Sequence, residues 1–365
     1  MKDFKNILTE YNKVDLATRK AAIATVVRVR GSSYRSPGAR MLITDDGRWV
    51  GSISGGCLEG DALRKARQVM IENKSITVTY DTNEDSNQNL GIGLGCNGII
   101  DVLIEPATEA IGLYNSIVGI QEPVALATTF DGRKYLVNAD TKPTNAIEER
   151  LLFLFETKQS HAEEIEHEGK VVDVFLELIQ PGIKLIIFGG GFDARPVSQL
   201  AKSLGWEVQV TDECAAHIAP LFFPTADKLS LCQRQFVDRD FDITPYTACV
   251  LMSHNYEYDR DVLKKLLKTD APYVGIMGPR KRFDKMVTDF AKESYHLSTD
   301  EVNRIHSPIG LDIGAEAPDE IAVAIISEIQ ARFTNRHGGF LKHRNGAIHR
   351  RDSETDQVFK QVYLE

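Results

Sequence analysis

Lys184-Leu185-Ile186-Ile187-Phe188-Gly189-Gly190-Gly191-Phe192-Asp193-Ala194 is an apolar strand that runs into three glycines and opens a helix. The helical pattern continues to about Leu204, Gly205 stops it, and Trp206 to Val210 read as a second strand ending at Thr211-Asp212. The whole unit is strand, G-x-G-x-x-A turn, helix, strand and acid. Glycines there allow a sharp turn and a close backbone approach, and an acid about 20 residues on is placed for a ribose hydroxyl. Gly189, Gly191 and Asp212 are therefore candidate nucleotide contacts. Alternation continues downstream: strand Ala248 to Met252, helix Asp259 to Lys268, strand Tyr273 to Met277, and a last helix Pro318 to Arg332. Strands alternating with helices imply a parallel sheet covered on both faces. His254 and Arg280 fall at carboxyl ends of strands, where such sheets bind ligands, and Arg280, Lys281 and Arg282 together read either as a phosphate clamp or as a solvated helix start.

Upstream of Pro181-Gly182 the pattern changes. Residues 4–19 have helical periodicity through Phe4, Ile7, Leu8, Tyr11 and Val14, followed by a strand from Ala21 to Arg30. Asp46-Gly47 between Met41–Thr44 and Trp49–Gly51 signals a hairpin. Gly51-Ser52-Ile53-Ser54-Gly55-Gly56-Cys57-Leu58-Glu59-Gly60-Asp61 then turns into an amphipathic helix of about four turns. Unpaired N–H donors and the helix dipole at such a turn attract anions and favour a thiolate. Gly55, Gly56, Cys57 and Glu59 are candidate ligand contacts on that ground, with Arg40 of the polar run 31–40 as a source of positive charge. The alternative is a small cysteine buried at a tight turn. A second glycine-rich run, Gly91 to Gly98, carries Cys96 at the edge of the strand 99–105. Residues 107–180 read as further helices and strands, with Glu163, Glu164, Glu166 and Glu168 forming a solvated acidic loop. Cys214, Cys232 and Cys249 read as structural thiols.

With 365 residues the chain is expected to form two domains, 1–180 and 181–333, followed by a basic tail, 334–365. A formal charge of −9 argues against nucleic acid and anionic membranes as partners. No apolar run reaches the ~20 residues of a membrane span. Five cysteines without paired spacing indicate neither a disulfide framework nor a zinc ribbon, and fit a reducing cytoplasm. The fold class that follows is α/β: an N-terminal α+β domain with a mixed sheet, then a Rossmann-like, doubly wound parallel-sheet domain.

Several of these stretches together resemble the XdhC/CoxI family, the accessory proteins of xanthine dehydrogenase and related molybdenum hydroxylases. They are the run from Gly31 to Met41, Gly51 to Glu59, Gly93 to Gly98, the turn 189–194, Ser253-His254, Gly275 to Arg282, and His306 to Gly314. The resemblance implies a maturation chaperone rather than a catalytic component of the enzyme. Such a protein binds the molybdopterin cofactor, supports its sulfuration with a cysteine desulfurase as sulfur donor, and delivers it to an apo hydroxylase. A homo-oligomer is expected. Phe192 stands where the family's turn usually continues with a histidine, and Asn97 where a further glycine is common. The rival reading, from the glycine turn and Asp212, is an NAD(P)-dependent oxidoreductase.

Overall fold

The computed structural model describes residues 1–82 and 98–343. The chain divides into two compact units, one built on Met1–Pro181 and the other on Gly182–Phe340.

In the first unit, helix α1 (Lys2–Tyr11) precedes β1 (Ala21–Gly31), β2 (Arg40–Thr44) and β3 (Trp49–Gly51). Helix α2 (Glu59–Glu72) then crosses to β4 (Ile76–Asp81), β5 (Gly98–Pro106) returns, and α3 (Ala107–Ile117) follows. The five strands form one sheet in the order β3-β2-β1-β5-β4, with every pairing antiparallel. Both faces are covered, so β1 is buried across its first seven residues rather than alternating. Ala22, Ala24, Val26, Met41 and Ile43 pack with α2, while Ile23 and Leu42 face α1 and α3.

Strands β6 (Val124–Thr129) and β7 (Lys134–Asn138), helix α4 (Ala146–Thr157), and strands β8 (His161–His167) and β9 (Lys170–Ile179) build a second sheet, ordered β7-β6-β9-β8. Residues 107–180 thus add further sheet, as expected, and both sheets of this unit are antiparallel rather than mixed. The acidic run is not a loop tip. Glu163, Glu164 and Glu166 lie on β8, which pairs with β9 and buries Ile165 and His167 between its glutamates. The first helix is also shorter than its periodicity suggests. It stops at Tyr11, and the Asp15 carboxylate organises a turn by accepting the Ala17 N–H at 3.2 Å and the Thr18 hydroxyl at 2.9 Å.

The second unit alternates as its sequence implies. Strand β10 (Lys184–Phe188), helix α5 (Ala194–Ser203), strands β11 (Glu207–Asp212) and β12 (Lys228–Leu231), helix α6 (Val237–Asp240) and strand β13 (Thr247–Leu251) come first. Helix α7 (Tyr256–Leu266), strand β14 (Tyr273–Ile276), helices α8 (Arg280–Lys292) and α9 (Thr299–Arg304), strand β15 (Ile305–His306) and helix α10 (Pro318–Phe333) complete it. The six strands are all parallel in the order β12-β11-β10-β13-β14-β15, with the direction of winding reversing between β10 and β13. This is the Rossmann order, and each face carries its own apolar layer, one with α5 and α10, the other with α7 and α8. Helix α7 begins three residues before its expected start because the Asn255 side chain caps it, accepting the Glu257 and Tyr258 N–H groups at 3.1 and 3.3 Å. Beyond α10, Leu341–His343 form one 3-10 turn. Residues 344–365 of the basic tail lie outside the described residues.

Candidate functional site

In the first sheet, antiparallel order brings three connections to one end: the segment from β1 to β2, the segment leaving β3, and the two strand ends that flank residues 83–97. Gly31 pairs with Gly98, whose N–H donates to the Thr82 hydroxyl at 3.0 Å. Cys96 lies outside the described residues, but the strands on either side of its segment end beside the Gly31 turn.

The segment from Gly51 to Leu58 is wound around one carboxylate. Glu59 Oε1 accepts N–H groups from Ile53, Ser54 and Gly55 at 3.1, 3.0 and 3.2 Å, and Oε2 accepts those of Gly56 and Leu58 at 2.9 and 3.2 Å. The hydroxyls of Ser52 and Ser54 donate to the same carboxylate at 2.8 and 2.5 Å. Ser54 Oγ in turn accepts the N–H of Cys57 at 3.0 Å. Burial by itself would raise the Glu59 pKa, but the Ser54 and Ser52 hydroxyls and the Ser54 N–H hold it down at about 2. The donors expected to be open to an external anion are therefore already satisfied by the chain's own side chains. As a phosphate cradle the loop is closed.

What the winding leaves available is the outer side. Gly55 and Gly56 have φ of 103° and 121°, values that favour glycine, and both are exposed. A Cβ at Gly56 would meet nothing within 4 Å, and one at Gly55 would lie 3.7 Å from the Cβ of the exposed Tyr34. Cys57 is a free, half-buried thiol packed at the margin of the α2 core. The resulting surface is a pair of bare glycines beside the Tyr34 side chain, followed directly in the chain by the half-buried Cys57.

Arg40 does not join it. Its guanidinium lies on the α1/α3 face, bonded to both Glu177 oxygens, the Gly38 carbonyl at 2.6 Å and the Tyr114 hydroxyl at 3.1 Å, with its charge 4.4 Å from the Phe4 ring centre. The α2 core that Cys57 borders is on the opposite face of the sheet. Arg40 is a buried structural ion pair, and its expected place in a ligand pocket is corrected accordingly.

In the second unit the glycine turn is equally occupied. Asp212 Oδ2 accepts the Gly190 N–H at 2.9 Å and lies 3.1 Å from His217 Nδ1, while Oδ1 accepts the Cys214 N–H at 2.8 Å. A Cβ at Gly190 would stand 2.5 Å from the His217 carbonyl oxygen. Asp212 closes the turn from within, so the expected free ribose acceptor is not what the structure shows. Gly189, at φ 118°, lies against the Ser253 backbone, and Gly191 lies under the His254 ring. His254 follows β13 with φ 57° and reaches to 3.4 Å from Asp193. Gly189, Gly191, Asp212 and His254 are thus brought together at the switch between β10 and β13.

Arg280 is separate from them, exposed at the start of α8. Its neighbour Arg282 turns inward instead, 2.7 Å from the buried Asp259, which also takes the Ser253 hydroxyl at 2.5 Å. Desolvation raises the Asp259 pKa against the lowering contributions of Ser253 and Arg282. Sequence reading missed Tyr34, Ser54, His217 and Asp259, whereas Arg282 belongs to the Arg280-Lys281-Arg282 run that it did single out. Nothing in the sequence pointed to Asp259, which reads as an ordinary first-turn acid of α7. Among the described residues no group of His, Cys, Asp and Glu is arranged to hold a metal ion, and no helix is long and apolar enough to cross a membrane.

Two family models match this chain: the XdhC and CoxI family over residues 16–81, and the XdhC Rossmann domain over residues 185–329. A Bacillus subtilis protein named as a probable component of xanthine dehydrogenase is 30% identical over 324 residues, spanning 85% of this chain and 92% of that protein. The Escherichia coli molybdenum cofactor insertion chaperone PaoD is 21% identical, over 90% of this chain and 88% of its own length. A crystal structure from Bacillus halodurans, described as a xanthine dehydrogenase, superimposes with a TM-score of 0.74 at 28% identity, covering 92% of this chain and 97% of that one. Both units of the fold are accounted for by these matches, and the chain belongs to the XdhC and CoxI family.

Proposed function

We propose that this protein is a maturation chaperone for a molybdenum hydroxylase of the xanthine dehydrogenase type. It holds the molybdopterin cofactor while a terminal sulfido ligand is acquired, with a cysteine desulfurase as the class of enzyme supplying sulfur, and passes the cofactor to the apoenzyme. The observation that carries this reading is the loop before α2, where a free, half-buried thiol follows two exposed glycines and the backbone is held by the chain's own Glu59 and Ser54. A relative named as a molybdenum cofactor insertion chaperone supports it.

The residues fit one end of the cofactor better than the other. Open space at Gly56 and the neighbouring Tyr34 ring suit a flat ligand approaching the backbone closely, and Cys57 suits a sulfur-bearing metal centre. Because Glu59 and Ser54 take the loop N–H groups, the cofactor's phosphate is held elsewhere. When bound, the cofactor supplies the molybdenum centre on which the client's chemistry depends. Glu59 keeps the loop in shape, Ser54 fixes the backbone nitrogen of Cys57, and the two glycines leave room for the ligand. The reading carries with it a cytoplasmic location, where thiols stay reduced, and action as a homo-oligomer.

The test is retention. Purified protein is mixed anaerobically with isolated molybdopterin cofactor and desalted, and pterin fluorescence and molybdenum are measured in the protein fraction beside a Cys57→Ser variant. Near-equimolar retention by the wild type and loss in the variant support the proposal. Equal retention by both removes Cys57 from it, and no retention by the wild type removes the proposal.

A further inference from the structure

In the second unit the two sides of the switch between β10 and β13 are built differently. On the glycine-turn side the chain fills its own crevice. Asp212 is bonded to Gly190 and His217, and the His217 carbonyl occupies the space in front of Gly190. At the switch itself, the His254 imidazole lies 3.7 Å from where a Cβ of Gly191 would stand, and its Nε2 is 3.4 Å from Asp193. A dinucleotide spread over such a sheet uses the acid at the end of the second strand and crosses the switch over the glycine turn. Here the acid is taken, and a histidine–aspartate pair lies in the path. NAD(P) does not fit the described arrangement.

Past His254 the crevice is open. A cavity of about 390 Å³ is walled by Met277, Pro279, Pro308 and Ile309, and its charged or titratable lining groups are His254 and Arg282. That volume is at the small end of ligand pockets and suits one ring system rather than two nucleotides. Arg282 is held in a fixed pose. Its stem passes 3.0 Å from the position of a Cβ at Gly278, and one Nη is anchored by Asp259 at 2.7 Å. Its Nε is buried without a hydrogen-bond partner, a donor left over after the ion pair is made. The pocket also lies at the first turn of α8, which has no side-chain cap. A planar guanidinium and a helix start beside apolar walls match a phosphate carried on a flat heteroaromatic body.

We infer that the second unit binds a compact phosphate monoester of mononucleotide size in the pocket formed by the segments after β13, β14 and β15, with Arg282 and His254 facing the anion, and that it does not take a dinucleotide across its glycine turn. This inference stands apart from the assignment of Cys57. Two sources share the chemistry, a free mononucleotide and the phosphate-bearing pterin of a cofactor, and the experiment separates them.

Calorimetric titrations of the full chain use GMP, AMP, guanosine, NAD⁺ and the oxidised pterin phosphate released from molybdopterin. The expected result is that at least one phosphate monoester binds tenfold or more tightly than guanosine and NAD⁺. Binding by the nucleotides identifies the first source, and binding by the pterin phosphate alone identifies the second. Ile321→Trp fills the pocket from α10, and His254→Asn removes the imidazole while tolerating the left-handed backbone. Each should weaken binding at least tenfold in protein whose unfolding midpoint is unchanged. Arg282→Lys, which keeps a charge for Asp259 but loses the planar fork, should do the same. NAD⁺ binding more tightly than every monoester overturns the inference. So does monoester binding indifferent to Ile321→Trp, or an absence of monoester binding in folded wild-type protein.

Discussion

The Glu59 carboxylate accepts the Gly56 N–H at 2.9 Å, so the first residue of α2 also fixes the backbone immediately before Cys57. This contact makes the thiol's position a property of the folded loop rather than of any ligand. It also makes the loop sensitive to acid. The Glu59 pKa lies at about 2 in the folded protein against an ordinary value of 4.5, so its stabilisation is complete above about pH 4.5 and is lost as the pH falls through about 2. A shift of that size corresponds to about 3 kcal/mol. Glu59→Gln turns one acceptor oxygen into a donor facing the Gly56 and Leu58 N–H groups, and should cost about 2–3 kcal/mol at neutral pH. Denaturant unfolding between pH 5 and pH 2 checks both points. The variant should be less stable at pH 5, and its stability should fall less steeply with acid than that of the wild type. Parallel pH profiles would contradict this account of Glu59.

Arg40 makes a prediction of the opposite kind, large for stability and small for ligand retention. Its guanidinium is 2% exposed and is paired with Glu177. Arg40→Met leaves the Glu177 carboxylate without its partner and should destabilise the protein by about 3–5 kcal/mol. Replacing both members, Arg40→Met with Glu177→Leu, should recover most of that loss, because a buried pair replaced by apolar groups costs little. Protein that remains folded should retain cofactor like the wild type, since Arg40 faces away from the Cys57 loop. A folded double variant with lost retention would return Arg40 to the site.

The thiols should divide sharply by reactivity. Cys57 is half-buried and Cys214 exposed, whereas Cys232 and Cys249 are buried, and desolvation pushes each of their thiols up to about 12, helped at Cys232 by the Asp240 carboxylate. At pH 7.5 such thiols carry almost no thiolate, the form that reacts. Brief maleimide labelling of the native protein, read peptide by peptide, should modify Cys57 and Cys214 and spare Cys232 and Cys249. Early labelling of either buried cysteine would show that the core of the second unit opens far more readily than its packing implies.

The sequence made the second unit legible because each of its signals is local. From Lys184 to Asp212, strand, turn, helix and strand follow within one continuous run, and the structure keeps that order. The first unit was harder to read because its decisive contacts are distant. Arg40 and Glu177 are separated by 137 residues, and nothing in the polar run 31–40 tells which face of a sheet its arginine takes. In β8 the glutamates dominate the composition, while the inward residues, Ile165 and His167, show their role only when β9 pairs alongside. Asp212 sits at the spacing of a ribose contact, yet His217, five residues on, had already claimed it. Spacing shows where a carboxylate stands along the chain but not which donor reaches it first.

That limit is sharpest at the glycines of the turn, which the motif treats alike and the structure does not. Gly189 has φ 118°, and a Cβ there would stand 2.4 Å from the Ser253 nitrogen, inside the contact between β10 and β13. Neither the backbone angle nor the neighbouring strand can give way, so Gly189→Ala should destabilise the protein by at least ~3 kcal/mol. At Gly191 the φ is not in the left-handed range, and a Cβ would meet only the His254 ring at 3.7 Å, an ordinary contact. Gly191→Ala should therefore change stability by less than ~0.5 kcal/mol. Urea unfolding of the two variants side by side decides the matter. Equal and large losses would mean that Gly191 is as confined as Gly189 and that His254 cannot yield. Equal and small losses would mean that the β10–β13 junction is looser than its backbone contacts imply. A loss confined to Gly189→Ala confirms that this turn is shaped by the strand it touches.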